Sequence, residues 1–101
     1  MTYALLNRLT ARPGQRDRVV GNLIESGKHF DGNAACLVYL VAESADDPDD
    51  IWVVDLWTSE DEHSEALQSP ELQPYFAETM PLLEAKPEQI EVRPRGGKGP
   101  P

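Results

Sequence analysis

A chain of 101 residues with 9 basic and 18 acidic side chains, a formal charge of −9 and one cysteine has room for one domain. The acidic balance excludes a nucleic-acid binder built on a basic stripe, and the lone cysteine excludes an internal disulfide or a paired-cysteine metal clip. Apolar residues, at 40%, suffice for a packed core, and no run approaches the roughly 20 apolar residues of a membrane span. The opening MTYALLNRLT has no cationic stretch ahead of a long apolar run, so a mature, cytoplasmic protein is expected. Residues 31–92 hold sixteen of the acids against one base, Lys86. This reads as a solubilising rim, or as one that repels anions and admits neutral aromatic ligands.

Thr2 to Ala11 alternates with a two-residue period and predicts a first strand. Pro13-Gly14 breaks it. From Gln15 the apolar residues Val19, Val20, Leu23, Ile24 and Phe30 recur at helical spacing, although Gly21 and Gly27 each weaken a helix by roughly 1 kcal/mol relative to Ala. Asp31-Gly32-Asn33 is a turn. The run ACLVYLVAE over 35–43 is apolar on both parities, as a strand covered on both faces would be. Asp46-Asp47-Pro48-Asp49-Asp50 lacks the glycine and distant glutamate of a calcium loop and reads as a hairpin turn.

IWVVDLW over 51–57 predicts a third strand, with Ile51, Val53, Asp55 and Trp57 on one face and Trp52, Val54 and Leu56 on the other. Ser59 and Glu62 form a capping box for a helix reaching about Leu67. Ser69-Pro70 predicts another helix start, with Leu72, Phe76, Met80 and Leu83 inward and Pro81 as a kink or stop. Glu88 to Arg93 alternates around Ile90 and Val92 as a fourth strand. The domain is expected over 1–93, and 94–101 (PRGGKGPP) as a flexible tail.

This order predicts an α+β, ferredoxin-like βαββαβ fold with an antiparallel sheet. Helices cover one sheet face. Leu5, Leu37, Tyr39, Val53 and Trp57 are expected on the other, and Trp52 beneath the helices. An apolar open face implies a partner sheet in a homodimer or a bound apolar ligand.

The segments ARPGQRD, ACLVYLV, DDPDDIWVVDLWTSEDEH and SPELQPYF…MPLL, over about residues 3–97, resemble the antibiotic biosynthesis monooxygenase family of dimeric α+β barrels. The EHSEAL helix and the late Gly-Gly resemble its quinol monooxygenase branch. The resemblance implies oxidation of phenolic, anthrone or quinol substrates by O₂ without metal, flavin or haem, through a strand-1 asparagine and a tryptophan ending strand 3. Asn7 and Trp57 stand at those positions. Where some relatives carry a second asparagine, this chain has Val53; where some carry a tyrosine, it has His63. A related haem-degrading branch has a histidine at the position of Leu67.

Each residue has two readings. Asn7 can hold a substrate carbonyl or oxyanion, or pair with backbone or across a dimer. Trp57 can stack on a flat substrate or pack in the core. His63 is a natural proton acceptor from a phenol, or a packing histidine. Asp55 can act as a base or orient His63, or pair with Arg8. Leu5, Tyr39, Val53, Tyr75 and Phe76 are the expected substrate contacts. Cys36 reads as a small core residue and His29 as a partner of a helix dipole. No cofactor is expected. A binding domain without catalysis, a cofactor-free isomerase and a haem-degrading enzyme are the alternatives on this scaffold.

Overall fold

The computed structural model describes residues 2–99. In chain order they form β1 (Tyr3–Thr10), α1 (Arg16–Gly27), β2 (Cys36–Glu43), β3 (Asp50–Trp57), α2 (Glu60–Leu67), α3 (Gln73–Thr79) and β4 (Glu88–Val92). Short 3-10 turns at Lys28–Phe30 and Met80–Leu82 continue α1 and α3. The sheet runs β2-β3-β1-β4 with every pair antiparallel, which is the expected ferredoxin-like α+β plan. Residues 94–99 take no regular structure, and the last two residues of the expected tail lie outside the described range.

Local chemistry accounts for most element ends. Ser59 Oγ accepts from the Glu62 backbone N–H at 3.2 Å, and Glu60, Asp61 and Glu62 sit at the positive end of α2. The acidic loop is a turn closed by Ser44 Oγ, which accepts from the backbone N–H groups of Asp46 and Asp47. Pro81 ends α3 in a 3-10 turn. The start of α3 differs from expectation. Ser69 Oγ instead accepts from Glu71 N in a preceding turn, and the helix begins only at Gln73.

The faces of the sheet are the reverse of the expectation. Leu9, Ile51, Val53 and Ala11 pack under Val19 of α1, and Trp57 packs with Phe30 and Leu72, so the odd-numbered residues of β1 and β3 face the helices. Leu5, Tyr39, Val53 and Trp57 are thus beneath the helices, and Trp52 is on the open face, with the Arg8 guanidinium 5.9 Å from its ring centre. A bulge between Cys36 and Val38 turns Leu37 toward a recess at the β2 edge. Period two sorts residues into two sets, but both sets are apolar here, and the pattern does not say which one the helices cover.

Further departures are local. Ile24 and Met80, expected inward, are about half exposed. Gly27 is required by packing, because a β-carbon there would lie 2.5 Å from Cε2 of Tyr39. Arg8 pairs with Asp50 rather than Asp55: its Nε donates to Asp50 Oδ2 at 2.8 Å, which holds the buried Asp50 carboxyl below its ordinary range.

Candidate active site

Strand register brings the polar candidates together. Across the covered face, Val41, Val53, Asn7 and Gln89 stand side by side on β2, β3, β1 and β4. In the next row Tyr39, Asp55 and Leu5 are neighbours, and beyond them Trp57 pairs with Tyr3. α2 brings His63 over the β3 end of this surface, and α3 brings Tyr75, Phe76 and Thr79 over its middle. Between sheet and helices lies a cavity of about 230 Å³, lined by Asn7, Tyr39, Val53, Asp55, His63, Leu67, Tyr75, Phe76, Thr79 and Gln89 among others.

One wall of this cavity is a connected hydrogen-bond network. Asn7 Nδ2 donates to the Val53 carbonyl and to Asp55 Oδ1, both at 3.0 Å. Gln89 Nε2 donates to Asn7 Oδ1 at 2.9 Å. Trp57 Nε1 donates to Asp55 Oδ2 at 3.3 Å, and His63 Nε2 stands 3.6 Å from the same oxygen. Asp55 and His63 are both buried, and the rings of Tyr3 and Trp57 flank the imidazole at centroid distances of 5.3 and 5.5 Å. The carboxylate is therefore stabilised by neutral donors rather than by an arginine. Its two oxygens are already engaged, which suits it to orienting His63.

The other wall is mainly apolar and aromatic. Phe76, Tyr75, Leu67 and Leu23 face the polar wall across the cavity. Tyr39 donates its hydroxyl to the Leu23 carbonyl at 3.3 Å, and burial pushes its phenol up to about 12. At Thr79 the hydroxyl oxygen accepts from Asn22 Nδ2. An apolar slot with one polar side fits a flat ring system bearing an oxygen substituent.

Two expected contacts are misplaced. Trp57 has no exposed surface and Leu5 is 1% exposed, so both lie beneath the cavity rather than on its wall. Trp57 reaches the site through its N–H to Asp55, not by stacking on a ligand. Tyr39, Val53, Tyr75 and Phe76 do line the cavity. Gln89 and Thr79 line it too and were not singled out from sequence, and Met80, expected only as an inward helix residue, also lines it. The alternation of Glu88 to Val92 put Gln89 on one strand face, but only the pairing of β4 with β1 sets it beside Asn7. Outside the site, His29 pairs with Glu71 at 3.0 Å rather than serving only a helix end. Cys36 is half-buried and its thiol is pushed up by burial, away from the thiolate. Among the described residues no three His, Cys, Asp or Glu side chains gather as metal ligands.

Solved structures share this architecture. A Chloroflexus aurantiacus J-10-fl protein, provisionally named an antibiotic biosynthesis monooxygenase, is 36% identical over 98% of each chain, with a TM-score of 0.86. A Mycobacterium tuberculosis protein is 22% identical over 96% of this chain and 98% of its own, at a TM-score of 0.84. SnoaB, a cofactor-independent oxygenase from Streptomyces nogalater, is 17% identical over 95% of each chain, at 0.81. No curated protein matches the sequence. The sequence model of the antibiotic biosynthesis monooxygenase family matches residues 2–78, and with that span, this fold and the 36% identical structure, the chain belongs to that family.

Proposed function

We propose that this protein is a cofactor-independent monooxygenase that uses O₂ on a phenolic, anthrone or quinol-type aromatic. The observation that carries the reading is the buried His63–Asp55–Asn7 wall set in an otherwise apolar cavity. A substrate hydroxyl or acidic C–H gives its proton to His63, which Asp55 orients. The resulting anion passes one electron to O₂, and the radical pair joins as a carbon-bound peroxide. His63 returns its proton to that peroxide, and loss of water, taking the hydrogen of the same carbon, leaves a carbonyl, so one oxygen atom enters the product and the other departs as water. In this reaction the substrate supplies every electron. Tyr75 and Phe76 hold the ring in place and exclude water.

The test is oxygen consumption by the purified protein with a panel of anthrones and hydroquinones. Uptake above the rate without protein is expected, and His63→Ala should lower it about a hundredfold with the fold intact. No uptake on any member of the panel overturns the reading in favour of a binding domain or of an isomerase using the same proton transfer. Val53, in place of a second asparagine, is the feature that favours the binding-domain reading.

The same proposal includes a cytoplasmic homodimer joined through the open sheet face. Two apolar rows support it: Leu40, Val54, Leu6 and Ile90, then Val38, Leu56, Ala4 and Val92. Leu40 and Ile90 are 55% and 54% exposed in the single chain, a large apolar surface to leave to water.

A further inference from the structure

We propose that Gln89 is the residue that recognises the oxygen substituent of an aromatic ligand at this cavity, a role that rests on the aromatic-substrate reading above. The argument is one of hydrogen-bond capacity. A primary amide has two N–H donors and one carbonyl acceptor. Both donors of Asn7 are spent, one on the Val53 carbonyl and one on Asp55 Oδ1, and its oxygen receives Gln89. Asn7 offers a ligand no N–H without releasing the carboxylate it supports, and that carboxylate is buried. Releasing a buried charge from a donor is costly.

Gln89 differs on each point. It lines the same cavity from the edge strand β4, it is exposed, and only one of its amide protons is engaged among the described residues. The bond to Asn7 Oδ1 fixes its orientation beside the polar wall. The second proton of Nε2 is left to donate to a carbonyl, phenol or phenolate oxygen. Among the polar residues of β4, Glu88 and Glu91 are charged and Gln89 is neutral, so Gln89 does not itself repel an anion formed by proton loss. Trp57 and Asp55 build the site from below, while Gln89 reads the ligand at its edge.

The proposal is tested by anaerobic equilibrium binding of two ligands of nearly one shape, anthrone and 9,10-dihydroanthracene, which lacks the carbonyl. The wild-type protein is expected to prefer anthrone. In Gln89→Leu and Gln89→Glu that preference should fall by roughly five- to tenfold, the worth of a neutral hydrogen bond, while dihydroanthracene binds as before. An undiminished preference in both variants overturns the proposal. So does an equal weakening of both ligands, which would make Gln89 a structural prop for Asn7, and so does the absence of any preference in the wild-type protein. Because no O₂ is present, failure of the oxygenase reading shows only in the oxygen-uptake experiment and leaves this outcome readable.

Discussion

The two faces of the sheet are made by the same strands and are both largely apolar, but they handle polarity in opposite ways. On the covered face Asn7 and Asp55 are buried or partly buried in the middle of the surface, and each finds its partners inside the chain. On the open face the charges collect at one end, where Arg8 joins Asp50 and Glu88 around Trp52, and the remaining rows are bare hydrocarbon. A covered polar group must be answered by neighbours that do not move, which makes a site. An open apolar surface is suited to covering by another surface, which is the basis of the dimer proposed above.

The largest expected effect is on the covered face. Trp57→Ala removes a fully buried indole and a donor to Asp55, and should cost about 3–5 kcal/mol by urea denaturation, independent of protein concentration. Trp57→Phe keeps an aromatic but smaller ring and loses the N–H to Asp55, so a smaller loss of stability than in Trp57→Ala is expected, together with reduced activity. A cost below about 1 kcal/mol for Trp57→Ala would show that this face is not the core.

On the open face the effect should depend on concentration. Leu40→Lys and Ile90→Lys, both at exposed positions, should leave the monomer folded and shift a dimer toward monomer by light scattering. Unchanged mass in the double variant would remove the open face as an interface.

The smallest effect separates the faces by pH. Tyr39 lies on the covered face, and its phenol is raised from near 10 to about 12 by burial. The neutral form is favoured in the folded state, so this stabilisation is complete below about pH 10 and declines as pH rises toward 12. Tyr39→Phe should flatten the alkaline part of the stability curve measured by thermal unfolding. A slope equal to that of the wild-type protein would place the cause elsewhere. Asp50, beside the open face, has the opposite sign: its carboxyl is lowered chiefly by the hydrogen bond from Arg8, so its contribution is lost in acid.

Much of this was readable from the residues in order. The alternation of Thr2 to Ala11, the IWVVDLW run and the Ser59–Glu62 box marked β1, β3 and α2 within a residue or so, because strand period and capping are local properties. The chain order of strands and helices carried the fold, and the resemblance carried the family. Asn7, Asp55 and His63 stood out as candidates from their types and surroundings, and the fold brings all three to one cavity.

What remained hidden depends on contacts distant in sequence. Two apolar parities on each strand do not reveal which one the helices will cover, so Trp57 and Trp52 exchanged places. Asp55 could pair with a cation or with neutral donors, and the register that sets Arg8 opposite Trp52 and Leu5 opposite Asp55 decided it. Gln89 becomes part of the site only when β4 aligns with β1, a pairing across 82 positions of chain. The amino acids specify periodicity, caps and chemical types. Register and layer order follow from the folded packing, because they depend on burial summed over all the elements at once.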